Sequence, residues 1–332
     1  MEKENKVLVT GANGLLGSHV VRELLMRNYK VRVFVREGSD LRALKNLTIE
    51  YFTGQIISEK DVYNAVKGCD FVVHAAARTS QVPSALKAFE KPNIESTKNI
   101  IKACKELKIK RLVYVSTANC FGNGTLKNPG NEETPFMPWL KSSGYAYSKY
   151  LAQQMVLEEV NKNGLDAVVV NPTFIIGKND FKPSSGQIFN HVVKKSIVFY
   201  PTGGKNFVDA EMAAKGVVNA MENGRLGACY LLAGENHSYL RFFRLVTRVL
   251  KQKTVFVPIP RWLLLAAGYC GSCYEKIRKK PIQLTYTNAR MLCLNNFFTA
   301  DKACRELDFK VVPVSESVEK AILWFQKNNY FN

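Results

Sequence analysis

Val7-Leu8-Val9-Thr10-Gly11-Ala12-Asn13-Gly14-Leu15-Leu16-Gly17 decides how the chain is read. It opens on a short continuous apolar run, the pattern of a strand covered on both faces. It then spaces three glycines as G-x-x-G-x-x-G, and a helical pattern over 15–27 follows at once. Gly11 permits a tight turn, Gly14 lets the backbone approach a pyrophosphate, and Gly17 lets the helix pack closely on the strand. The helix N-terminus then faces the anion. Glycine triplets also mark ordinary turns. The strand before this one and the helix after it make it a dinucleotide loop, with Thr10, Asn13, Leu15 and Leu16 as its other members.

The same rhythm continues outward. Strands are predicted at 7–10, 31–36, 49–52, 71–74, 112–116 and 167–171, with helices at 15–27, 61–66, 97–107 and 145–161 between them. Apolar strands alternating with helices predict an α/β fold of Rossmann type, a doubly wound parallel sheet. After Asn171 the rhythm breaks at Pro172, Pro183, Pro201, Gly203, Gly204, Pro258 and Pro260. The expected division is a dinucleotide-binding domain over 1–171 and a mainly substrate-binding lobe over 172–332, some of whose segments return to the body. The tail at 315–325 reads as an amphipathic helix.

Composition narrows the function classes. The chain has 332 residues, 46% hydrophobic and 23% charged, as soluble globular proteins do. Its net charge is +19, from 47 Lys+Arg against 28 Asp+Glu. The basic residues are dispersed and the densest cluster, KIRKK at 276–280, is short, so a solvated surface is expected and not a nucleic-acid site. The eight cysteines are scattered. The C-x-x-C pair Cys270 and Cys273 supplies half of a four-ligand zinc site, so reduced thiols and no metal are expected. No apolar stretch has the length of a membrane span. The opening MEKENKVLVT lacks a signal-peptide pattern, which makes the cytoplasm the expected location. Residues 255–269 (VFVPIPRWLLLAAGY) read as an apolar helix covering a substrate pocket, in preference to a membrane-surface contact.

The end of the second strand bears on the cofactor. NAD enzymes place an acidic residue there for the ribose 2′-hydroxyl. This chain has Arg36, whose guanidinium pairs with a 2′-phosphate and accepts no hydrogen bond. NADP is therefore favoured, with Glu37 as the acidic rival and NAD as the alternative.

Tyr145-Ala146-Tyr147-Ser148-Lys149 opens a helix, and residues at i and i+4 share a face. An ammonium beside a phenol lowers its pKa, so Tyr145 is expected to transfer a proton near neutral pH while Lys149 tunes it and holds the nicotinamide ribose. Spacing alone is not specific, since Tyr63 and Lys67 repeat it and read as surface residues. Tyr147 and Tyr150 lack a lysine four positions on. The third component is a hydroxyl at the carboxyl end of a preceding strand, and Ser116-Thr117 supplies two.

The order TGANGLLG, HAAA, YVSTANCFG, YAYSK and NPTFIIG resembles the extended short-chain dehydrogenase/reductase superfamily. Within it, the chain is similar to the dihydroflavonol 4-reductase-like and 3β-hydroxysteroid-dehydrogenase-like branch of the epimerase/dehydratase family, over nearly its whole length. The resemblance implies Thr117 as the catalytic hydroxyl, with Ser116 beside it on the cofactor. It implies nicotinamide contacts at Ala75, Ala76 and Ala77, carboxamide contacts at Pro172, Thr173, Phe174 and Ile175, and an adenine contact at Ile56. Gln55 stands where the family often has Asp. Ala118 and Asn119 follow Thr117 where sugar-nucleotide dehydratases carry Asp-Glu, which argues against dehydration. The expected activity is NADP-dependent hydride transfer between a ketone or aldehyde and the corresponding alcohol, on a small-molecule substrate. An NAD-retaining sugar-nucleotide epimerase and a non-catalytic dinucleotide sensor are the alternatives. A homodimer through the Tyr145–Lys149 helix is the assembly that the superfamily suggests.

Overall fold

The computed structural model describes residues 5–80, 82–278 and 280–331. Residues 1–4 of the opening segment and Lys279 of the basic cluster lie outside them. The chain begins with β1 (Lys6–Thr10), α1 (Leu15–Met26), β2 (Lys30–Val35), β3 (Glu50–Thr53) and α2 (Glu59–Val66). β4 (Phe71–His74), the single turn α3 (Lys87–Phe89), α4 (Ser96–Glu106) and β5 (Arg111–Val115) follow. The long α5 (Gly144–Asn163) leads to β6 (Ala167–Pro172) and β7 (Phe174–Ile176). Then come β8 (Ile197–Tyr200), β9 (Gly204–Asp209), α6 (Ala210–Asn223), β10 (Cys229–Leu232), β11 (Glu235–Ser238) and α7 (Tyr239–Val249). The chain closes with β12 (Val255–Pro258), α8 (Arg261–Arg278), α9 (Tyr286–Cys293), β13 (Asn295–Asn296), α10 (Asp301–Leu307) and α11 (Val314–Lys327).

Alternation along β1 explains the two-sided body. Val7 and Val9 pack with Val20, Val21 and Leu24 of α1, whereas Leu8 packs with Val62 of α2, Ile100 of α4 and Val156 of α5. All three strand residues are sealed from water. A strand covered on both faces must be apolar at every position, which is why the run is continuous. The sheet has seven strands in the order β10-β6-β5-β4-β1-β2-β3, and every pairing is parallel. This is the doubly wound α/β arrangement expected from the sequence. The chain crosses from β3 back past β1 to β4, so the carboxyl ends of β1 and β4 lie side by side, where such sheets take their ligands.

The later half builds a second layer. β9 pairs with β11, β13 and β7, and β8 pairs with β12 as a separate ribbon. Phe189, Phe207, Phe242 and Phe325 fill the core beneath, with Phe207 and Phe242 stacked at 4.1 Å. The tail helix α11 adds Val318, Ala321 and Ile322 to that core. Two of the later elements return to the body: β10 pairs along β6, and Val217, Val218 and Met221 of α6 join the core of α1. Among the described residues no helix is long and apolar enough to cross a membrane. No group of His, Cys, Asp or Glu there would hold a metal ion.

Candidate active site

The glycine loop lies in the crevice between β1 and β4. Gly11 has φ of +69°, and a Cβ there would meet the backbone of Ala75 and Ala76 at 2.7 Å. A Cβ on Gly17 would lie 2.1 Å from the Gly11 carbonyl oxygen. Both positions admit only hydrogen, which lets the start of α1 come hard against the turn. Gly14 caps α1 with no side-chain hydrogen bond, and the first turn carries no acidic residue. The amide groups at that helix end, around Leu15 and Leu16, suit an anion such as a pyrophosphate. The residues present therefore fit a dinucleotide.

Asn13 Nδ2 donates to the Asp40 carbonyl at 3.2 Å, tying the loop to the segment after β2. β2 ends at Val35, one residue short of the predicted end, and Arg36 stands exposed just beyond it. Glu37, the acidic rival beside it, is exposed as well, and the second acid of that segment, Asp40, is occupied. Arg42 donates to its carboxylate at 2.8 Å and holds its pKa down to about 2.

The candidate catalytic groups gather at the carboxyl end of β5. Ser143 caps α5 by accepting from the Ala146 amide at 3.3 Å, which places Tyr145 and Lys149 one turn apart in the first turns of the helix. Burial pushes the Tyr145 phenol up to about 12, and the neighbouring Thr117 hydroxyl pulls the other way without outweighing it. Lys149 is 2% exposed, donates to the Val115 carbonyl at 2.7 Å and lies 4.2 Å from the Tyr114 ring centroid. Burial takes its pKa down to about 7. The expectation of a lowered tyrosine pKa is thus corrected for the protein alone. The lysine is anchored to β5 and is itself driven toward the neutral form, so it offers the phenol little charge. Ser116 Oγ lies 3.3 Å from Cys120 Sγ.

A chain of polar side chains links this site to the glycine loop, and the sequence did not announce it. Thr97 Oγ1 donates its only proton to the Asn93 carbonyl at 2.7 Å, so it accepts from His74 Nε2 at 3.2 Å. His74 Nδ1 is then bare and accepts from Thr10 Oγ1 at 2.8 Å. Thr10 Oγ1 in turn accepts from the Ala76 amide at 3.1 Å. On the other side Asn93 Nδ2 donates to Ser148 Oγ at 2.9 Å, and Ser148 donates to the Tyr145 carbonyl at 2.9 Å. His74 is neutral here, since burial, helped by Lys149, holds its pKa down to about 3. The hydroxyl of Thr10 is therefore engaged in fixing the end of β4. The clue available in sequence was the threonine four residues after Asn93 on a helical pattern.

The remaining residues surround the crevice. Ala75, Ala76 and Ala77 follow β4 and are half-buried. Pro172 ends β6 against Leu232, and Thr173 donates to Asn206 at 2.7 Å. Phe174 and Ile175 lie on β7, half-buried. Ile56 follows β3, and its carbonyl accepts from Asn99 at 3.4 Å. At Gln55 the amide donates to Asp61 at 2.9 Å. Tyr63 and Lys67 do not form a second site, because α2 ends at Val66 and Lys67 is extended and exposed.

Comparison with known proteins identifies the family. Residues 7–232 match the model of the NAD dependent epimerase/dehydratase family. A protein from Synechocystis that carries the provisional name dihydroflavonol 4-reductase is 28% identical over 97% of this chain and 95% of its own. The sterol-4-alpha-carboxylate 3-dehydrogenase, decarboxylating, of Bos taurus is 29% identical over 97% and 93%. The crystal structure of a nucleoside-diphosphate-sugar epimerase from Pseudomonas aeruginosa superposes with a TM-score of 0.80 at 26% identity, covering 99% of this chain and 100% of that one. The chain therefore belongs to the NAD dependent epimerase/dehydratase family and is an NAD(P)-dependent oxidoreductase of the extended short-chain dehydrogenase/reductase type.

Proposed function

We propose that the protein is an NADP-dependent reductase of a ketone carried on an apolar ring system, able to run the same step backwards on the secondary alcohol. The neighbouring hydroxyls of Thr117 and Tyr145, with Lys149 one turn on, carry this reading. Thr117 and Tyr145 would hold the substrate oxygen. With a pKa of about 12, Tyr145 keeps its proton at neutral pH and is ready to give it to the carbonyl oxygen as the carbon gains hydrogen. Lys149, near 7, would return a proton to the tyrosinate and steady the nicotinamide ribose. When bound, NADPH supplies the hydride from C4 of its nicotinamide.

In the same proposal the glycine loop holds the pyrophosphate, Arg36 the 2′-phosphate and Ile56 the adenine. Ala75 to Ala77, Ser116 and Pro172 to Ile175 surround the nicotinamide. The lobe after 171 selects the substrate. The names of the bovine and cyanobacterial relatives, a sterol and a flavonoid enzyme, support a fused-ring ketone.

The epimerase reading keeps second place because of the Pseudomonas structure. One experiment separates the two: release and identify any nucleotide held by the purified protein, then titrate NADPH against NADH by fluorescence. Exchangeable binding with preference for NADPH supports the reductase. Tightly retained NAD puts the epimerase first, and failure to bind either nucleotide removes both.

A further inference from the structure

We infer that the face built from the β8–β12 ribbon and the outer side of α7 docks on an anionic lipid bilayer. Parallel pairing sets Val255 beside Ile197 and Val257 beside Phe199. Alternation turns these four side chains to one face of the ribbon, while Val198 is buried on the other. Ile197, Phe199 and Val255 are 56%, 64% and 62% exposed. Two residues past the ribbon, α8 begins with Arg261, Trp262 and Leu263. It seats on α9 through Leu264 and Gly268, where a Cβ on Gly268 would lie 2.5 Å from that of Ala289. Trp262, Leu263 and Tyr269 are left outward, the residue types that settle at a membrane interface.

Charge decides what covers this surface. Residues 181–208 and 236–274 contain no Asp or Glu. Lys194 and Lys195 lead into β8, and Lys251 and Lys253 lead into β12, all four exposed. None of these lysines is in an ion pair among the described residues. Arg241, Arg244 and Arg248 stand exposed at spacings of three and four along α7, which is one helix face. On the neighbouring β11, Glu235 feels the charge of Arg241. A second copy would press these cations against their own kind. An RNA would take the cations and leave Ile197, Phe199, Val255 and Trp262 in water. An anionic bilayer takes both. The membrane contact set aside for residues 255–269 alone returns because pairing sets the exposed residues of β8 beside β12, and α7 packs in the same core beneath that ribbon.

The test is cosedimentation of the full-length protein with vesicles of phosphatidylcholine, with and without phosphatidylglycerol, at low and high salt. Binding is expected to the anionic vesicles and to fall with salt. Lys194→Gln with Lys195→Gln should weaken it about 25-fold, each cation being worth about fivefold. Phe199→Ser should weaken it about tenfold, and Lys215→Gln on α6 should leave it unchanged. All these side chains are exposed, and unchanged circular dichroism and NADPH affinity verify the fold. Three results overturn the proposal: no vesicle binding, undiminished binding by Phe199→Ser, or a dimer in sedimentation velocity that Phe199→Ser converts to monomer. The readout needs no turnover, so it stands apart from the proposed reaction.

Discussion

Lys149 Nζ is fastened to the Val115 carbonyl at 2.7 Å, on the strand behind the site. Its pKa of about 7 lies below the ordinary 10.5, so between those values the folded protein binds fewer protons than the unfolded chain. Stability therefore rises with pH across that window. Lys149→Met should flatten the rise, read as urea midpoints of the nucleotide-free protein. An unchanged slope would mean that the amine stays charged in the fold.

Tyr145 tells the two reaction directions apart. A phenol with a pKa near 12 is a standing proton donor, so ketone reduction should be flat through neutral pH, while alcohol oxidation should accelerate as pH rises. Tyr145→Phe should lower kcat by about 10²–10⁴-fold and leave the nucleotide Kd unchanged. Equal turnover in the variant would remove the residue from the reaction.

Arg36 stands exposed at the end of β2 while the nearby Asp40 is engaged by Arg42. Arg36→Ala should weaken NADPH by about 1.5–3 kcal/mol and NADH far less, the loss of one charge-assisted hydrogen bond. Parallel losses, measured by fluorescence titration, would refute the 2′-phosphate assignment.

Thr97→Val tests the buried chain. It leaves the His74 Nε2 proton without its acceptor at 3.2 Å, at a cost of about 1–3 kcal/mol. Thr97→Ser should restore most of the loss. Chemical denaturation of both variants measures it, and a neutral Thr97→Val would show that the network carries no stability.

The parallel α/β class and the glycine loop were legible because each rests on local patterns of residues; the order of the strands was not. Gly17 meets atoms of its own turn, and β1 declares its two covered faces in consecutive residues, whereas the Ala75 and Ala76 backbone that crowds Gly11 comes from a distant strand end. Tyr145 and Lys149 were legible as neighbours for the same reason. The direction of the tyrosine pKa was not, because helical spacing does not say that the lysine amine turns to Val115. The His74 chain joins β1, β4, α4 and α5, and the ribbon joins β8 to β12. Both depend on partners that only the folded backbone brings together.

β10 has a consequence for how the molecule is made. During synthesis β6 emerges with one edge bare, and its partner arrives only after β7, β8, β9 and α6 have left the ribosome. The body therefore cannot finish before the lobe has begun, and the two should melt as one cooperative unit. A chain cut after residue 171 would keep an open strand edge, apolar from Ala167 to Val170, a template for aggregation and not a free-standing nucleotide domain.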